Sequence, residues 1–112
     1  MEITDRKTNN TIIVELSGRI DAGSTESTEK YFSALISEND QNIIVNCENL
    51  DYINSSGLRI LIMSLKKQAA KEKKLLLCNL QKNIKEVFQF SGFTNLFKIE
   101  LNLELAIKLI DS

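Results

Sequence analysis

Histidine is absent from the 112-residue chain. With it go the Ser-His-Asp and Cys-His nucleophiles and every imidazole metal ligand. Glycine is scarce, at four residues, and neither a P-loop nor a GxGxxG pattern is present to cradle a nucleotide phosphate. These absences argue against an enzyme of the familiar kinds, and no cofactor and no metal are expected. No apolar run approaches the roughly 18 residues needed to span a bilayer, so direct membrane insertion is not expected. The opening stretch, MEITDRKTNN, has neither the apolar segment nor the small-residue cleavage site of a secretory signal. Charge of either sign is hardly in excess: the net value is −1, which recruits neither nucleic acid nor an anionic membrane. The two cysteines, Cys47 and Cys78, are far apart and each closes an apolar run. Buried strand thiols explain them better than a disulfide or redox pair and suit a reducing cytoplasm, where the protein is expected to act.

What is present, 43% hydrophobic and 26% charged residues, belongs to a globular protein, and the length suits one domain over residues 1–112. Met1 to Lys7 and the β-branched run TIIVELSG, Thr11 to Gly18, flank the turn residues Asn9-Asn10 and read as a hairpin. A first helix is expected over Ser24–Ser37, with Tyr31, Phe32, Leu35 and Ile36 at helical spacing. NIIVNC, Asn42 to Cys47, is a short continuous apolar run of the kind covered on both faces. A loop over Glu48 to Asn54, a second helix over Ser56–Lys73, a buried strand LLLCNL, a third helix over Asn83–Phe90, a strand LFKIEL and a final helix NLELAIKLI follow. Strands alternating with helices after a hairpin predict an α/β sandwich with a mixed sheet of about five strands, in the order β-β-α-β-α-β-α-β-α. The basic run from Lys66 to Lys74 falls at the end of the second helix, where the helix dipole favours cations.

The second helix has two apolar faces. Leu58, Leu61, Ile62, Leu65 and Ala69 fall within one arc and form the expected core stripe. Ile60, Met63, Lys67 and Ala70 gather about half a turn away, with Ser56 at the top and Arg59 flanking. Apolar Ile60 and Met63 on an expected solvent face read either as isolated exposed residues or as a partner-binding surface. At the helix start, Ser55 can act as N-cap, or Asn54 can cap and leave Ser55 or Ser56 free. Capping does not account for Gly57, a poor helix former, in the first turn. A glycine there lets another backbone or a nucleotide approach closely. A phosphate at this position would meet free N–H groups and the positive end of the helix dipole, so the site suits a reversible phosphoserine.

Three segments carry a family resemblance. LDYINSSGLRILI resembles the loop and helix, D-S-S-G-L or D-S-T-G-L, of the STAS domain family in its single-domain form, the anti-sigma factor antagonist. ELSGRIDAGST is similar to that family's L-x-G-x-[LI]-D-A segment, and VFQFSGFTNLFKI resembles its third helix and following strand. The order and spacing are kept over nearly the whole chain. The resemblance implies a STAS-like fold and a partner-switching cycle. In it the unphosphorylated antagonist binds an anti-sigma factor that is also a serine kinase, freeing the sigma factor; phosphorylation ends the binding and a serine phosphatase restores it. Carried over residue by residue, the resemblance makes Ser55 the phosphorylation site. Asp21, Asn54, Ser56, Gly57, Arg59, Ile60 and Met63 become partner-binding residues, on a monomer or weak dimer. Asn54 departs from the family's usual Asp, which removes a negative charge beside the hydroxyl. Either the kinase tolerates the amide, or the chain is an unmodified STAS interaction subunit of a transporter or larger signalling assembly.

Overall fold

Nine elements appear in the expected order in the structure, a computed structural model that describes residues 1–111. Ser112, the last residue of the expected domain, lies outside the described residues. The elements are β1 (Glu2–Thr8), β2 (Thr11–Ile20), α1 (Thr25–Glu38), β3 (Asn42–Ile53), α2 (Ser55–Ala70), β4 (Leu75–Cys78), α3 (Lys82–Phe90), β5 (Lys98–Glu100) and α4 (Leu103–Ile110). The strands form one sheet in the order β1-β2-β3-β4-β5. β1 pairs antiparallel with β2 across the Asn9-Asn10 turn, and the remaining pairs are parallel. The fold is thus α/β with a mixed sheet, as the sequence reads.

Continuous apolar strands are explained by covering on both faces. Ile12, Val14, Ile43, Val45, Leu75 and Leu77 face Phe32 and Ile36 of α1, Leu58 and Leu61 of α2, and Ile84 and Phe88 of α3. On the other side Ile44, Leu76 and Cys78 meet Ala106 and Ile110 of α4. The free cysteines are buried on these opposite faces, so they cannot pair without rearranging the sheet. Burial pushes both thiols up, Cys78 to about 12 with Glu48, Glu100 and Glu15 adding to the effect. Both are therefore inert, protonated core groups at neutral pH.

β3 runs six residues past its expected end at Cys47, through the stretch read as a loop. Two register shifts against β2 explain why that extension was hidden. Each inserts one extra residue into β3, between its pairings Glu15↔Asn46 and Ser17↔Asn49 and again between Gly18↔Leu50 and Arg19↔Tyr52. Bulges break the two-residue alternation that marks a strand, so the buried residues Leu50 and Ile53 stand three apart. The core stripe of α2 is also rotated from expectation. Leu58 and Leu61 are buried, but Ala69 is exposed, while Ser64 and Gln68 are buried. The cause is α1, which packs beside α2 as a second neighbour. Ser64 Oγ donates to the Ile60 carbonyl at 2.8 Å, and Gln68 Nε2 donates to the carbonyls of Gln41 and Lys74 at 2.8 and 3.0 Å, while Gln68 Oε1 is buried without a hydrogen-bond partner among the described residues.

Candidate functional site

The parallel ends of β2 and β3 deliver two loops to one point. The Asn54 N–H donates to the Ile20 carbonyl at 3.0 Å, so Asp21, the next residue of β2's chain, lies beside the start of α2. There the backbone of Asn54 is extended and its Oδ1 accepts the Gly57 N–H at 2.8 Å. Its carbonyl accepts the Leu58 N–H at 3.0 Å. Asn54 is therefore the N-cap, which settles the choice between the two capping residues. Ser55 and Ser56 become the first helical residues, with exposed side chains that have no hydrogen-bond partner among the described residues. The first turn holds no acidic residue, so nothing on the helix itself neutralises its positive end. Asn54→Ala is expected to lower stability by about 1 kcal/mol, as loss of a cap does. Asn54→Asp, which keeps the acceptor, is expected to retain wild-type stability or better; urea denaturation of the two variants checks both.

Gly57 is buried, and the reason is internal. A Cβ built on it would stand 2.6 Å from Ile20 Cγ2 and 2.8 Å from Ile53 Cγ1. The close approach expected for a partner's backbone is instead made by the sheet of this same chain. Gly57 is accordingly corrected from a partner-binding residue to the contact that lets α2 start directly above β2 and β3.

Asp21 is partly exposed in the turn after β2. Its carbonyl accepts the N–H groups of Ser24 and Thr25, its Oδ1 accepts the Gly23 N–H at 3.0 Å, and its Oδ2 lies 3.7 Å from Arg19 Nε. The Arg19 guanidinium in turn sits 4.3 Å from the ring centre of Tyr52. Arg19 and Tyr52 are opposed in register, and Tyr52 is exposed. This group borders the same end of α2; Asp21 was expected there from the sequence, but Arg19 and Tyr52 were not, because the shifted register hides that residues 19 and 52 are neighbours.

Along α2, Arg59 is exposed and Met63 is 48% exposed, but Ile60 is only 7% exposed. Ile60 belongs to the core between α1 and α2. It is corrected here: the expected exposed pair reduces to Met63, because α1 covers Ile60 from the side. Between the helices runs a shallow groove. Its upper part, about 270 Å³, is lined by Thr25, Glu26, Glu29, Ser56 and Arg59, with Ile60 contributing to the lining. Its lower part, about 320 Å³, passes Glu29, Ser33, Met63 and Lys67. An exposed serine pair, an arginine, a methionine and the Asp21 loop are thus gathered on one side of the molecule. Among the described residues no cluster of side chains could hold a metal ion, and no helix is long and apolar enough to cross a membrane.

Comparison with known proteins gives this arrangement its class. The family model of the STAS domain matches residues 2–106, and the chain belongs to that family. It is 29% identical over 106 residues to BtrV of Bordetella bronchiseptica, provisionally designated an anti-sigma factor antagonist, covering 95% of this chain and 91% of that protein. Its fold is similar to that of the anti-sigma factor antagonist SpoIIAA in the unphosphorylated form, with a TM-score of 0.84, 24% identity, and coverage of 98% of this chain and 96% of the other. The phosphorylated form of the Bacillus cell fate determinant SpoIIAA matches with a TM-score of 0.73 and 25% identity, over 96% and 97% of the two chains.

Proposed function

We propose that this chain is an anti-sigma factor antagonist, a binding module rather than an enzyme, whose docking surface is switched off by phosphorylation of Ser55. The observation that carries the reading is the Ser55 hydroxyl, exposed and without a hydrogen-bond partner among the described residues, at the positive end of α2, whose first turn has no acidic residue, in a STAS domain. The proposed surface comprises Ser55, Ser56, Arg59 and Met63 with the Asp21 loop, and Asn54 holds the first turn in place. Its partners are an anti-sigma factor with serine-kinase activity and a serine phosphatase, and the cycle runs in the cytoplasm. Relatives support the direction of this reading: one is provisionally designated an anti-sigma factor antagonist, and SpoIIAA exists in unphosphorylated and phosphorylated forms.

Phosphate adds about −1.5 to −2 charges at pH 7. On the free protein those charges meet the N–H groups of the first turn and the helix dipole, so the fold tolerates them. Within a closely packed interface they must be desolvated or repelled, and binding fails without any change of fold. The test is incubation with the cognate kinase and ATP, followed by intact-mass measurement. One added phosphate on the wild type and none on Ser55→Ala is the expected result. A protein that binds the kinase tightly and gains no phosphate would instead be an unmodified interaction subunit.

A further inference from the structure

Among the described residues the outer edge of β1 has no strand beside it, and the strand reads EITDRKT. Thr8 and Thr11 are opposed across the two-residue turn, a spacing at which the two residues must exchange both backbone hydrogen bonds. Antiparallel alternation then aims the N–H and C=O groups of Glu2, Thr4 and Arg6 at β2, and those of Ile3, Asp5 and Lys7 outward. The side chains divide the same way. Ile3 packs against the core under α1 and Asp5 accepts the Tyr31 hydroxyl, whereas Glu2, Thr4 and Arg6 stand exposed on the opposite face. Neither Glu2 nor Arg6 has an ion pair among the described residues.

An outside strand can bond to this edge only if it matches the outward groups of the odd-numbered residues. For a second, antiparallel copy, that restricts the two-fold axis to a residue position on β1. An axis at Asp5 would set Asp5 against itself, and one at Arg6 would set Arg6 against itself, both unfavourable across directly opposed positions. An axis at Thr4 opposes Glu2 of each copy to Arg6 of the other, twice, and places Thr4 against Thr4. Ile3 then opposes Asp5, which keeps its Tyr31 partner. Charged edges ordinarily prevent edge pairing. Here opposite charges four residues apart cancel in a register that the backbone also permits.

We propose that two copies of this chain associate along β1 about a two-fold axis at Thr4, joining their five-stranded sheets into one. Exposed ion pairs are individually weak, so the dimer is concentration-dependent and weakened by salt. Sedimentation equilibrium from micromolar to millimolar concentration tests it. Glu2→Arg and Arg6→Glu are each expected to weaken association by about fivefold, and the double exchange to restore it. Thr4→Cys, with Cβ atoms about 4.5–5.5 Å apart in the opposed pair, is expected to cross-link under mild oxidation, since Cys47 and Cys78 are buried. A wild-type protein that stays monomeric at millimolar concentration overturns the proposal. So does a dimer indifferent to both single reversals, or a Thr4→Cys protein that fails to cross-link. The edge lies on β1 rather than α2, so these outcomes are independent of Ser55.

Discussion

Phosphorylation of Ser55 is expected to weaken binding to the kinase about a hundredfold, equivalent to roughly 3 kcal/mol. Ser55→Asp, with about half the added charge of a phosphate, is expected to lose about tenfold. Ser55→Ala removes one exposed hydroxyl that has no partner among the described residues, so its affinity is expected to stay near that of the wild type. Titration calorimetry against the kinase separates the three proteins, and equal affinities for the Asp and Ala variants would remove the charge-switch account. Stability supplies the internal control. An acidic group in the first turn of α2 faces the helix dipole, an interaction worth about 0.3–1 kcal/mol in favour of the folded state. Ser55→Asp is therefore expected to melt at or slightly above the wild-type temperature. A binding loss accompanied by a lower melting temperature would mean unfolding, not repulsion at an interface.

Gly57→Ala is expected to destabilise the protein by about 2 kcal/mol, within the range for overpacking a core. Two effects oppose each other at this position. Alanine is the better helix former by up to about 1 kcal/mol. Against that, its Cβ meets Ile20 Cγ2 at 2.6 Å and Ile53 Cγ1 at 2.8 Å. Both isoleucines are β-branched, stiff at χ1 and buried in their strands, so neither can swing away. The collision wins, and α2 must lift from the ends of β2 and β3. Because those ends also hold the Asp21 turn and the Asn54 cap, binding is expected to weaken along with stability. Chemical denaturation measures the first effect. If Gly57 served only the approach of a partner, alanine would leave stability unchanged or raised while binding fell.

Much of the architecture was legible because it depends on local pattern. Continuous apolar runs marked β3 and β4 as strands covered on both faces, the Asn9-Asn10 turn between β-branched segments marked the hairpin, and helical spacing marked α1 and α2. Placing Ser55 at the head of α2 needed only the change from polar loop to apolar periodicity. The extension of β3 to Ile53 was not legible, since two bulges interrupt the alternation by which a strand is recognised.

Neighbours along the chain were enough to set the order of the elements, the family resemblance and the position of the serine pair at a helix start. Tertiary structure alone decided which side chains face outward. A helical wheel has no knowledge of a second helix, and it is α1 that buries Ile60 and leaves Met63 exposed. Likewise, only the crossing of α2 over Ile20 and Ile53 turns Gly57 from an apparent opening for a partner into a contact the fold itself requires. Burial and close approach are set by residues distant in sequence, which no local pattern contains.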